Sequence, residues 1–146
     1  MTQTVRFQKL DERAVCPRYG SADAAGADLY AVLDAPLTLA PDETVLVHTG
    51  LAVEIPAGFV GLVCARSGLA TKKGLAPANK VGVIDADYRG EIMVALHNHG
   101  VIPQIVEHGE RVAQLLLMPY LTATFVETDT LSDTVRGEGG FGSTGA

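Results

Sequence analysis

The chain has no tryptophan and only two cysteines among its 146 residues. Cys16 and Cys64 lie far apart, with neither a CxxC nor a histidine at ligand spacing beside them, so neither a disulfide framework nor a zinc site is indicated. Two reduced, partly buried thiols are expected. Long apolar runs are also missing: stretches such as Leu115–Met118 fall far below the roughly 18 residues that cross a bilayer. No membrane partner is expected. The first fifteen residues carry Arg6, Lys9, Asp11, Glu12 and Arg13 without a continuous apolar segment, which does not read as a signal peptide and leads to a cytoplasmic expectation. Positive charge is scarce, with 11 Lys and Arg against 17 Asp and Glu for a net charge of −6. Such a balance repels a phosphate backbone, and nucleic acid is a poor candidate partner. Uninterrupted helical windows are lacking too, because 16 glycines and seven prolines punctuate the chain every few residues.

What is present is apolar material in short pieces. Hydrophobic residues make up 47% and the mean hydropathy is +0.22, enough for one core in a chain of ordinary domain size. Segments rich in β-branched and aliphatic residues recur at Val5–Leu10, Asp28–Val32, Thr44–His48, Leu51–Ile55, Phe59–Ala65, Glu91–Asn98, Gln104–Glu107, Val112–Met118 and Thr122–Glu127. Turn signals such as Ala40-Pro41-Asp42 and Ile55-Pro56-Ala57-Gly58 separate them. The pattern predicts an all-β, jelly-roll-like β-barrel.

Three segments stand apart. Arg66–Gly74 reads as one short helix closed by Lys72, Lys73 and Gly74; its start offers free N–H groups beside Arg66, suited to an anion or simply to sealing one end of the barrel. Val83–Glu91 reads as a hairpin, and Asp85, following two apolar residues, could stand at a pocket wall where desolvation favours general-base work, or serve as ordinary turn chemistry with Asp87 and Arg89 as a surface ion pair. The last ten residues hold five glycines around Phe141, preceded by Arg136. Gly137-x-Gly139-x-x-Gly142 matches a dinucleotide fingerprint only formally, because no strand leads in and no helix follows; Ser143 stands where a phosphate loop needs Lys. Such a tail is either simply mobile or a flexible cover bringing an arginine and an aromatic face to a nucleotide. His97-Asn98-His99 puts two imidazoles on one strand face, but with no third ligand beside them exposed histidines are expected there.

Taken together these fragments resemble the trimeric dUTPases. Five ordered motifs carry the resemblance: Ala25–Ala31, Ala65–Ala70, Gly82–Glu91, Arg111–Leu115 and Arg136–Gly145. Ala65 stands where family members often carry proline. The resemblance implies a β-barrel domain over residues 1–135, a lid over 136–146, and a homotrimer with active sites shared between subunits. It implies dUTP as substrate and Mg²⁺ as cofactor, with Asp28 reaching the metal through water. Arg66, Ser67, Gly68 and Gln114 would then contact the phosphates, Asn79 and the backbone of Val83, Ile84 and Asp85 would read uracil, and Tyr88 and Met93 would line the sugar pocket. Asp85 would activate the attacking water. Arg136, Phe141, Gly142 and Ser143 would close the site, Arg136 on the terminal phosphate and Phe141 on the base. The related dCTP deaminases share the fold but lack the Gly-rich closing motif, which argues against that class.

Overall fold

A computed structural model describes residues 2–141. The strands are β1 (Arg6–Lys9), β2 (Arg18–Tyr19), β3 (Ala27–Tyr30), β4 (Leu37–Leu39), β5 (Thr44–Glu54), β6 (Phe59–Cys64), β7 (Leu75–Pro77), β8 (Val81–Ile84), β9 (Glu91–Asn98), β10 (Gln104–Val106) and β11 (Arg111–Pro119), with one helix, α1 (Ser67–Lys73). They form a four-stranded sheet in the order β1-β5-β9-β7, a five-stranded sheet in the order β2-β3-β11-β6-β8, and the pair β10-β4. All the pairings are antiparallel. This is the expected jelly-roll-like arrangement of packed sheets, although hydrogen bonding among the described strands leaves the sheets open instead of closing them into a barrel.

Period-two patterning explains the longest pairing. Along β9, Ile92, Val94, Leu96 and Asn98 are buried while Glu91, Met93, Ala95 and His97 face the other way. The inward set joins Leu29, Leu39, Leu75, Val106 and Val112 in a core that removes all of them from solvent. Asn98 is tolerated there because its amide donates to the carbonyls of Leu39 and Ile102 and accepts from the N–H of Gly100.

Two expected strands, Thr44–His48 and Leu51–Ile55, are one. β5 runs through Gly50 by shifting its register on β9 between His48 and Ala52, and Gly50 takes φ +65° at the shift. The expected strand Thr122–Glu127 does not form. From Tyr120 onward the described chain has no partner strand of its own, and Leu121, Phe125 and Val135 stand fully in solvent. Cys16 is exposed, and only Cys64 is partly buried. His97 is largely covered, its side chain 16% exposed. It touches His99 at a ring-centroid distance of 4.3 Å and Thr44 at 2.8 Å. Burial, and then the neighbouring His97 and Lys80, hold His99 below the usual histidine range.

Candidate active site

Two clusters of the expected residues form on the chain. The first is a cavity of about 310 Å³ at the seam between the two large sheets, lined by Asn79, Val83, Ile84, Asp85, Tyr88 and Met93, together with Leu46, Gly82 and Glu91. The outward face of β9 supplies Glu91, Met93 and Ala95 as one wall; β8, an edge strand of its sheet, supplies the other. An edge strand leaves backbone N–H and C=O groups free for a planar ligand. Six of the expected site residues are thus brought together.

Asp85 directly follows β8 and begins the turn to β9. Its carboxylate accepts no hydrogen bond among the described residues and is exposed, so the desolvation expected from its apolar neighbours is absent from the single chain. The turn is closed by Tyr88 N–H donating to the Asp85 carbonyl at 3.2 Å, and the Tyr88 hydroxyl donates to the Glu91 carbonyl at 2.9 Å. Gly90 makes room for that ring: a Cβ there would fall 2.4 Å from the Tyr88 hydroxyl oxygen. Arg89 does not pair with Asp87. Its Nη1 donates to the carbonyls of Ala86 at 2.7 Å and Tyr88 at 2.9 Å.

The second cluster surrounds Asp28, which is 8% exposed. One carboxylate oxygen accepts from Arg66 Nε at 2.6 Å, the other from Arg111 Nη1 at 3.2 Å. Gln114 stands opposite Asp28 on one side and opposite Cys64 on the other, and its amide donates to the Ala65 carbonyl at 2.8 Å. Arg66 occupies the N-cap position of α1 without a capping side-chain bond, so Ser67 is the first helical residue; Gly74 closes the helix at φ 67°. Beside these lies a cavity of about 300 Å³ lined by Arg66, Gly68, Lys72, Lys73, Glu110 and Arg111. Lys73 is tied to Glu110 at 2.6 Å. With Asp28, the surroundings hold four cations against two carboxylates in a chain of net charge −6. A local cationic surplus in an acidic protein suits a polyanion. Arg111 was not among the expected site residues; its signal was its place at the head of the fourth motif.

Among the described residues no group of three His, Cys, Asp or Glu side chains is placed to hold a metal ion. Both Asp28 oxygens already accept from guanidinium groups, which argues against direct ligation by Asp28. Each oxygen retains a lone pair, which fits a contact to Mg²⁺ through water.

The described part of the tail, Arg136 to Phe141, lines neither cavity. Arg136 Nε donates to the carbonyl of Gly139 within its own turn at 2.8 Å, and Phe141 is fully exposed. Gly142 and Ser143 lie outside the described residues. The two cavities share no lining residue.

A β-sheet seam offering edge-strand backbone and a carboxylate, together with a separate cationic cluster, defines a nucleotide-binding β protein. The chain belongs to the dUTPase family: the dUTPase family model matches residues 12–145. Deoxyuridine 5′-triphosphate nucleotidohydrolases from two strains of Desulfitobacterium hafniense, DCB-2 and Y51, are each 50% identical over 142 residues, covering 97% of this chain and 94% of theirs. The solved structure of Staphylococcus bacteriophage 80alpha dUTPase with dUPNHPP superposes with a TM-score of 0.91 at 29% identity, over 99% of this chain and 100% of that one. A second structure of the same phage enzyme gives 0.82 at 26%, over 90% of this chain and 100% of that one.

Proposed function

We propose that the protein hydrolyses dUTP to dUMP and pyrophosphate, lowering dUTP and supplying dUMP for thymidylate synthesis in the cytoplasm. The observation that carries this reading is the cavity that gathers Asn79, Val83, Ile84, Asp85, Tyr88 and Met93 around the free edge of β8. The names of the relatives at 50% identity support it.

Uracil presents O4 as acceptor and N3–H as donor. The Asn79 side chain and the β8 backbone match that pattern, whereas cytosine reverses it and would bury mismatched groups at about 1–3 kcal/mol each. The Tyr88 ring packs against the deoxyribose and leaves no room for a 2′-hydroxyl. Arg66, Ser67, Gly68 and Gln114 hold the triphosphate, with Arg111 beside them. Asp28 would hold Mg²⁺ through water, and the ion would supply charge neutralisation on the phosphate oxygens. Asp85 orients a water in line with the α-phosphorus and accepts its proton; its freedom from other hydrogen bonds suits that task. Arg66 and Arg111, already oriented by Asp28, meet charge developing on the phosphates without reorganising.

The active unit is a homotrimer. Asp85 and the cationic cluster open onto different cavities of one chain, and the apolar side chains from Leu121 to Val135 lack cover in that chain. Both features favour sites completed by a neighbouring subunit, with residues 136–146 of one chain closing over the hairpin of another and supplying Arg136, Phe141, Gly142 and Ser143. That closure supplies the desolvation that Asp85 lacks by itself. Pyrophosphate release measured with dUTP, dCTP, dTTP and UTP tests the activity: release from dUTP alone is expected, and equal release from dCTP or UTP contradicts the reading.

A further inference from the structure

The turn that carries Asp85 has little to hold it. β8 is an edge strand, so no further strand supports the turn from outside. The one backbone bond across it, Tyr88 N–H to the Asp85 carbonyl, is long at 3.2 Å. Two carbonyls of the segment, those of Ala86 and Tyr88, are instead gathered by a single atom, Nη1 of Arg89. The guanidinium is steadied from its other side by Glu54 at 3.9 Å, and Glu54 is bonded to Arg6 on β1 at 2.7 Å. The Arg6 hydrogen bond, more than the charges around it, holds the Glu54 carboxyl below its usual range, so the anchor stays ionised at neutral pH. A continuous path therefore runs from the β1-β5 edge of one sheet, through Glu54 and Arg89, to the peptide groups on either side of Asp87.

We propose that Arg89 is a positioning residue: by pinning the Ala86 and Tyr88 carbonyls it fixes the turn that aims the Asp85 carboxylate and the Tyr88 ring into the cavity. This rests on the reading of Asp85 as the base. Arg89 does not line that cavity, and it acts only through its neighbours. Its side chain is 56% exposed, so its bonds contribute little to global stability. Turnover, in contrast, is sensitive to small misplacement, since a shift of about 1 Å at the reacting atoms costs up to about 100-fold.

Steady-state hydrolysis of dUTP by Arg89→Ala, Arg89→Lys, Glu54→Gln and Asp85→Asn, each alongside its thermal midpoint, tests the proposal. Arg89→Ala is expected to lower kcat by about 10- to 100-fold with the midpoint held. Arg89→Lys, whose ammonium can still donate to both carbonyls, is expected to recover most of that loss, and Glu54→Gln to cost about 3-fold. A kcat for Arg89→Ala within two-fold of the parent, or a rise in KM alone, overturns the proposal. The reading of Asp85 fails separately, if Asp85→Asn turns over dUTP at the parental rate.

Discussion

In the proposed reaction Asp85 is the residue on which the chemistry turns, and that role sets two requirements. Its carboxylate is uncommitted among the described residues, and its setting in a turn after β8 aims it toward the cavity that Tyr88 shares. Asp85→Asn keeps the size of the side chain but cannot accept a proton from water. It is expected to retain dUTP affinity while kcat falls by about 10²- to 10⁴-fold; calorimetric titration with a non-hydrolysable analogue, beside turnover, checks the split. Gly26 makes a second residue-level case. A Cβ there would fall 2.3 Å from Gln114 Oε1, so Gly26→Ala must push the Gln114 amide off the Ala65 carbonyl. If Gln114 contacts phosphate, kcat/KM for dUTP drops by about tenfold, the cost of one hydrogen bond to a charged group. An unchanged kcat/KM would show that Gln114 has no part in binding. The glycine of the first motif thus has a steric reason, which the sequence pattern alone does not contain.

Elements were legible where the period was plain and opaque where it broke. β9 alternates buried and open residues from Glu91 to Asn98, and its ends agree with the sequence reading. β2, β4 and β7 have only two or three residues each, too short to show any alternation, and they went unseen. Gly50 lies in the gap between the expected strands Thr44–His48 and Leu51–Ile55, yet its positive φ carries β5 through a register shift. Thr122–Glu127 has strand composition but no strand beside it in its own chain, and composition cannot report a missing partner. The site was legible in the same uneven way. Single residues and their types were readable from the motifs, whereas the double engagement of Asp28 by Arg66 and Arg111 joins β3 to two distant segments and has no local signal. The tail offers an element-scale test. None of the described residues 136–141 belongs to the core, so on removal of residues 136–146 the thermal midpoint should hold while dUTP hydrolysis falls by at least about 100-fold for want of a closed site. Assays of both quantities on the same preparation decide the point, and undiminished hydrolysis would remove the lid from the account.

At the scale of the whole molecule, the uncovered apolar stretch after β11 and the two unshared cavities both fit the proposal that the functional unit is larger than one chain. A closed homotrimer buries such surfaces by symmetry and can place the hairpin of one subunit under the tail of another. The most direct measurement is complementation. Asp85→Asn subunits and subunits lacking residues 136–146, each inactive alone, are refolded together in equal amounts, and dUTP hydrolysis is assayed on trimers shown to be mixed. Random assembly makes about three-quarters of the trimers mixed, each with one complete site in three, so about a third of parental activity should return per mixed trimer and about a quarter across the whole refolded preparation. Mixed trimers as inactive as their parents would mean that hairpin and tail serve the same chain, and would contradict the shared site.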